Sequence, residues 1–197
     1  AIPYYERWVK TFPSVASVAS STEDKILQQW AGLGYYRRAI NFHRACKILV
    51  ETNNGEVPLL IDSFIDLPGV GEYISAAVFS IAFNEPVAVY DVNVNRFVSR
   101  LLSINTSIAA QRNRAKEYLS TLVKSSKNSR NLNQAMMDLG RSVCTIKNPT
   151  CKKCPVSSKC LALSYGTISE FPIMKKKKTK PHYRVVVGFI WNNSKLL

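Results

Sequence analysis

Four of the five cysteines are gathered as Cys144-x6-Cys151-x2-Cys154-x5-Cys160, and one carboxylate, Asp91, follows the stretch "LPGVGEYISAAVFSIAFNEPVAVY". Thiolates at such density bind metal. Zinc usually takes its thiolates as two C-x2-C pairs, whereas this set has one short gap flanked by loops of six and five. Four thiolates this close can close around a [4Fe–4S] cluster, and the spacing favours that cluster over zinc, which stays open. Disulfides fit poorly in a chain whose composition points to nucleic acid inside the cell. Cys46 stands apart in an amphipathic stretch and reads as a small buried hydrophobe. Asp91 precedes "VNVNRFVSRLL", where an aspartate is most often a helix N-cap. A capping carboxylate is also held rigidly, so it can face a developing positive charge.

Helices must position these groups. Apolar residues recur at helical spacing over 3–12, 23–33, 37–52, 61–67, 72–83, 92–104, 111–123 and 132–144. Pro13, Gly32, Gly34, "NNGEVP" and "LPGVG" interrupt them. In "IDSFIDLPGVGEYISAAV" the pattern is helix, turn, helix. Gly69 and Gly71 are expected to take positive φ there and to leave amides uncovered at the start of the second helix, a phosphate site. Such a contact positions DNA without reading sequence. Strand character appears only in "YRVVVGFIW" at 183–191. The expected layout is a helical domain with the hairpin (1–128), a cluster segment (129–166), a basic linker (167–182), and the start of a truncated, β-containing C-terminal domain (183–197). Both ends read as cut.

The chain has 197 residues and carries 27 Lys plus Arg against 13 Asp plus Glu, a formal charge of +14. The run "KKKKTK" explains part of this: +14 less its five lysines still gives +9. The balance favours a polyanionic partner, with nucleic acid ahead of a membrane surface. No stretch approaches the roughly 20 apolar residues of a membrane span, and "AIPYYERWVK" is neither signal peptide nor transit sequence. Lys147, Lys152 and Lys153 of the cysteine loop are placed to follow a phosphate backbone.

Together "WAGLGYYRRAINFH", "LPGVGEYISAAV", "YDVNVNRFVSR", "NQAMMDLGRSVC" and the cysteine spacing resemble the helix-hairpin-helix DNA glycosylases with an iron–sulfur cluster, and among them the MutY-type adenine DNA glycosylases. The resemblance covers nearly the whole chain. It implies an all-α glycosylase fold, with the cluster loop followed by a linker and the first strand of a Nudix-like domain. The implied reaction is hydrolysis of the N-glycosidic bond of an adenine flipped out of double-stranded DNA, opposite 8-oxoguanine or guanine. Asp91 takes the role of stabilising the oxocarbenium-like sugar, and Asn93 that of orienting it. Tyr73 stands where lyase-type relatives carry a Schiff-base lysine, and 72–84 contains no lysine, so base release without strand cleavage is implied.

By the same resemblance Gln134 and Met137 line the adenine pocket, Tyr35 is the wedge beside 8-oxoguanine, and Leu67, Gly69, Val70 and Gly71 form the DNA-contacting hairpin. Cys144, Cys151, Cys154 and Cys160 hold the [4Fe–4S] cluster. Trp30 reads as core and His43 as a satisfied polar residue. The implied protein is an intracellular monomer acting where the DNA is, nucleus and mitochondrion or nucleoid. The family's general acid is a glutamate on a helix upstream of this sequence; within the chain only Glu72 lies near the turn, and no motif makes it the substitute. Lesion selectivity belongs to the C-terminal domain. Two readings stay open beside this one: a mismatch thymine or uracil glycosylase, and a non-catalytic iron–sulfur DNA-binding module.

Overall fold

The computed structural model describes residues 2–174, 183–192 and 195–196. Helices carry nearly all of it: α1 (Ile2–Thr11), α2 (Val15–Ala19), α3 (Glu23–Trp30), α4 (Arg37–Asn53), α5 (Ile61–Ile65), α6 (Glu72–Ala82), α7 (Val92–Leu101), α8 (Ile108–Lys124), α9 (Ser129–Ser142) and α10 (Leu161–Ser164). Several begin where a short polar side chain satisfies the free amides of the first turn. Ser14 and Ser17 form a reciprocal capping box at α2, Thr22 caps α3, Ser107 caps α8 and Asn128 caps α9.

Three apolar clusters hold these helices. Phe12, Val18, Ile26, Ala39 and Cys46 join α1–α4, with Trp8 and Trp30 against them. Ala45, Leu49, Phe64, Leu67 and Phe79 join α4, α5 and α6. The largest cluster packs α7, α8 and α9 through Val94, Phe97, Val98, Leu119, Val123 and Met136. The helix α9 touches α6, α7 and α8 alike, so it is the frame on which the later elements meet.

The sequence reading differs from the structure in several places. Helix α2 lies in "SVASVAS", too short and too rich in small residues to give a 3.6-residue period. Residues 183–190 are exposed and form no strand; pairing is confined to a hairpin of β1 (Trp191–Asn192) with β2 (Lys195–Leu196). Residues 167–173, read as linker, are docked: Phe171 is buried and the Ile173 amide donates to Gln111 Oε1 at 2.9 Å. His43 is buried, but its Nε2 finds no partner among the described residues. The lysine run at 175–180 and residues 181–182 lie outside the described residues. Among the described residues no helix is long and apolar enough to cross a membrane.

Candidate active site and cysteine ring

Asp91 is the N-cap of α7, as its place in the sequence requires. Its Oδ1 accepts the amides of Asn93 (2.9 Å) and Val94 (2.7 Å), and Oδ2 accepts Asn93 Nδ2 at 3.0 Å. Both oxygens are thus oriented, at the helix end whose dipole favours a negative group. Asn93 passes the restraint on, because its Oδ1 accepts Arg96 Nη2 at 2.9 Å. Arg96 is 5% exposed and also donates to the carbonyls of Gly140 (2.6 Å) and Cys144 (2.8 Å). Burial pulls its guanidinium below the ordinary value, while the facing Cys144 and Asp91 act in the opposite direction.

Gly140 makes this approach possible. A Cβ there would stand 2.8 Å from the Asn93 carbonyl oxygen and 2.9 Å from its carbon. Met137 lies one turn earlier on the same face of α9, and the Tyr73 hydroxyl of α6 meets its sulfur at 4.0 Å. Gln134 lies one turn earlier again. Thus the α9 residue against the Asn93 backbone, Gly140, and the one against the Tyr73 hydroxyl, Met137, lie one turn apart. Gln134 is exposed, and its amide donates to the Arg130 carbonyl of its own helix rather than to another site residue. Asn133, absent from the sequence reading, has a fixed role: fully buried, it pins the segment before Asp91 through Val89 N (3.0 Å) and Val87 O (2.8 Å).

The hairpin keeps one glycine for strain and one for openness. Gly69 has φ +81, and a Cβ there would meet Asn41 Cβ at 2.8 Å. Gly71 is extended (φ −123, ψ −178), contrary to the expected positive φ, and no atom lies within 4 Å of its Cβ position. As N-cap of α6 it offers no side-chain bond, so the first amides of that helix stay uncovered. Leu67 is buried against Phe64 and Phe79, so only its backbone is available to a ligand; Val70 packs beside it. Glu72 is held by Lys116 at 2.6 Å, which keeps its carboxyl below the usual carboxylate range.

Tyr35 is 82% exposed, with φ +51 between Gly34 and helix α4. The Arg38 guanidinium lies over its ring at 5.1 Å and over Trp30 at 5.8 Å. Trp30 is part of the core, and its Nε1 donates to the Gly34 carbonyl at 3.0 Å, which shapes the loop.

All five cysteines are free thiols, and Cys46 is buried. Cys144, Cys151, Cys154 and Cys160 line one small pocket whose other walls include Phe97, Val143, Val156 and Ile168. Among the described residues no group of three or more His, Cys, Asp or Glu is close enough to hold a single metal ion. Burial pushes the Cys151 thiol up, and the other three thiols add to it. Arg100, 4% exposed, closes the ring from α7. It donates to Cys144 Sγ (3.4 Å), Thr145 O (2.7 Å), Ile146 O (3.3 Å), and Ile168 O and Phe171 O (both 3.1 Å). Four thiols around one apolar-walled pocket fit a polynuclear cationic group. Lys147, Lys152 and Lys153 stand exposed on the loop.

Arg96 and Arg100 escaped the sequence reading, although a signal was present. They sit four residues apart among Val94, Phe97, Val98 and Leu101, and arginine on an apolar face implies bonded burial. Gly140 lay inside a quoted motif, but only the three-dimensional approach reveals what it does.

Residues 1–125 match the family model "HhH-GPD superfamily base excision DNA repair protein". The chain is 35% identical over 179 residues to an adenine DNA glycosylase of Buchnera aphidicola subsp. Schizaphis graminum, covering 90% of this chain and 52% of that protein. It is 35% identical over 167 residues to the adenine DNA glycosylase of Homo sapiens, covering 82% and 30%. The chain therefore spans about half the length of these curated relatives, or less. Among solved structures it is similar to a thermostable thymine-DNA glycosylase, with TM-score 0.74, 23% identity, and 83% and 76% of the two chains covered. It is also similar to endonuclease III in a non-covalent complex with DNA, with TM-score 0.69, 26% identity and the same coverage. The family model covers more than half of the sequence, and this chain belongs to the HhH-GPD superfamily of base excision DNA repair proteins.

Proposed function

We propose that the chain is the core of an adenine-specific mismatch DNA glycosylase, acting on adenine opposite 8-oxoguanine or guanine in duplex DNA without cutting the strand. The observation that carries this reading is Asp91, a carboxylate whose two oxygens are fixed by three hydrogen bonds. The relatives named adenine DNA glycosylase supply the base.

In the reaction the C1′–N9 bond breaks and its electron pair leaves on adenine, which takes a proton. Asp91 faces the positive charge that develops on the sugar, as carboxylates do in glycoside hydrolysis. Water then adds to C1′ and gives up a proton. Helix α6 carries no lysine, so no Schiff base forms from the hairpin helix, and hydrolysis ends the reaction. Tyr73 and Met137 supply an aromatic edge and an apolar wall for the flipped base, with Gln134 one turn away. Tyr35 is the exposed ring for stacking where the duplex opens. Glu72, bound to Lys116, is ionised at neutral pH and is no proton donor; in this reading the acid is the glutamate of an upstream helix that this sequence does not contain.

Cys144, Cys151, Cys154 and Cys160 would hold a [4Fe–4S] cluster. When bound, it supplies four iron–thiolate bonds that cross-link residues 144–160 and hold their lysines toward DNA. Arg100 and Arg96 anchor that segment to the helix that begins with Asp91. The protein acts as a monomer wherever the genomic DNA is. Lesion selectivity is assigned to a C-terminal domain beginning near residue 183.

Single-turnover assays on duplexes containing A opposite 8-oxoguanine, A opposite G and T opposite G test the substrate. Adenine release from the first two, abasic sites cut only after alkali, and no adduct trapped by borohydride are expected. Thymine release, or a trapped adduct, would overturn the assignment. If duplex is bound but no base leaves, addition of the upstream glutamate-bearing helix restores release; failure to restore it favours a non-catalytic DNA-binding module.

A further inference from the structure

Beside the hairpin lies a cluster that the chemistry above does not use. Arg112 and Lys116 are one turn apart on α8, and both reach Glu72 Oε2, at 3.6 and 2.6 Å. Both also rest against the Tyr90 ring, at 5.9 and 5.7 Å from its centre. Tyr90 is itself fixed, since its hydroxyl donates to Asn95 Oδ1 at 2.8 Å. With Gly71 and Tyr73 these residues border an open cleft.

Two cations share one carboxylate, so the cluster keeps a positive charge. The ion pairs are exposed, and exposed pairs contribute little to stability. They do pre-orient the cations: the Tyr90 ring under both charged groups limits the rotamers that a phosphate would otherwise have to freeze. A guanidinium and an ammonium held side by side suit the oxygens of a phosphodiester.

We propose that Arg112 and Lys116 form a second contact for the DNA backbone next to the hairpin, with Glu72 as the resident anion that a phosphate displaces. The site rests on the reading of this chain as a duplex-binding glycosylase core. It adds a phosphate contact on the cleft side of α6, and Glu72 lowers affinity by competing for it.

Fluorescence-anisotropy titration of the whole 197-residue chain on a short duplex, repeated over a range of salt, tests it. R112Q/K116Q is expected to weaken binding and to flatten the slope of log K against log salt by about 1 to 2. E72Q is expected to bind several-fold tighter than wild type. E117Q, the same charge change at an exposed position on α8, is expected to stay near wild type. Circular dichroism melts confirm that each variant folds. A wild-type slope in R112Q/K116Q, or an E72Q no tighter than E117Q, overturns this site while the parent reading stands. A wild-type chain that binds no duplex overturns both.

Discussion

At the scale of single residues, the site depends on side chains that do two jobs. Arg96 satisfies Asn93 Oδ1 and two buried carbonyls, so Arg96→Met strands three acceptors at once. A loss of about 2 kcal/mol or more in urea unfolding is expected, together with slower base release because Asn93 no longer holds Asp91. An unchanged unfolding midpoint would contradict the role given to Arg96. Cys46 is a second case. Burial pushes its thiol up to about 11, so the folded protein favours the protonated form. Its contribution to stability is complete below the ordinary thiol value, about 8.5, and is lost as pH rises toward about 11. Alkylation followed by mass spectrometry at neutral pH is expected to modify Cys46 last of the five thiols, and only on unfolding.

At the scale of elements, the two hairpin glycines separate strain from openness. Gly69→Ala meets both a left-handed backbone and the Asn41 side chain, so a cost of about 1 kcal/mol or more is expected. Gly71→Ala meets neither, and a melting temperature close to wild type is expected. Equal losses in the two variants would mean the turn is misassigned. The helices of this hairpin were legible because apolar spacing and the "LPGVG" break coincide. Which glycine carries the positive φ was not, because a sequence shows flexibility and not its use. Asp91 as a cap was legible from the helix that follows it. The buried Arg96 and Arg100 were not, because their partners are carbonyls from 44 to 71 residues away, brought close only by the fold. The strand expected at 183–191 rested on β-branched composition alone, and composition names a strand without naming what it pairs with.

At the scale of the whole molecule, α7 connects two regions. It begins with Asp91 and ends by bonding the segment that carries the cysteines, and α9 packs beside it. Gly140→Ala forces these helices apart where a Cβ would stand 2.8 Å from the Asn93 carbonyl oxygen, and that backbone cannot give way cheaply. A loss of about 1 to 3 kcal/mol is expected, with a fall in single-turnover rate larger than any fall in duplex affinity. A variant that loses affinity and rate in equal proportion would show that the contact supports binding and not the carboxylate.

The most direct test of the central claim is single-turnover adenine release by Asp91→Asn beside wild type, on a duplex with A opposite 8-oxoguanine. The upstream glutamate-bearing helix is supplied to both. Asparagine caps a helix as well as aspartate does, so the variant keeps its fold and its duplex affinity while it loses the charge that faces the sugar and the second acceptor for Asn93 Nδ2. The account predicts an unchanged melting temperature, unchanged binding and no measurable release. Release at a rate near wild type would show that Asp91 is a helix cap and nothing more.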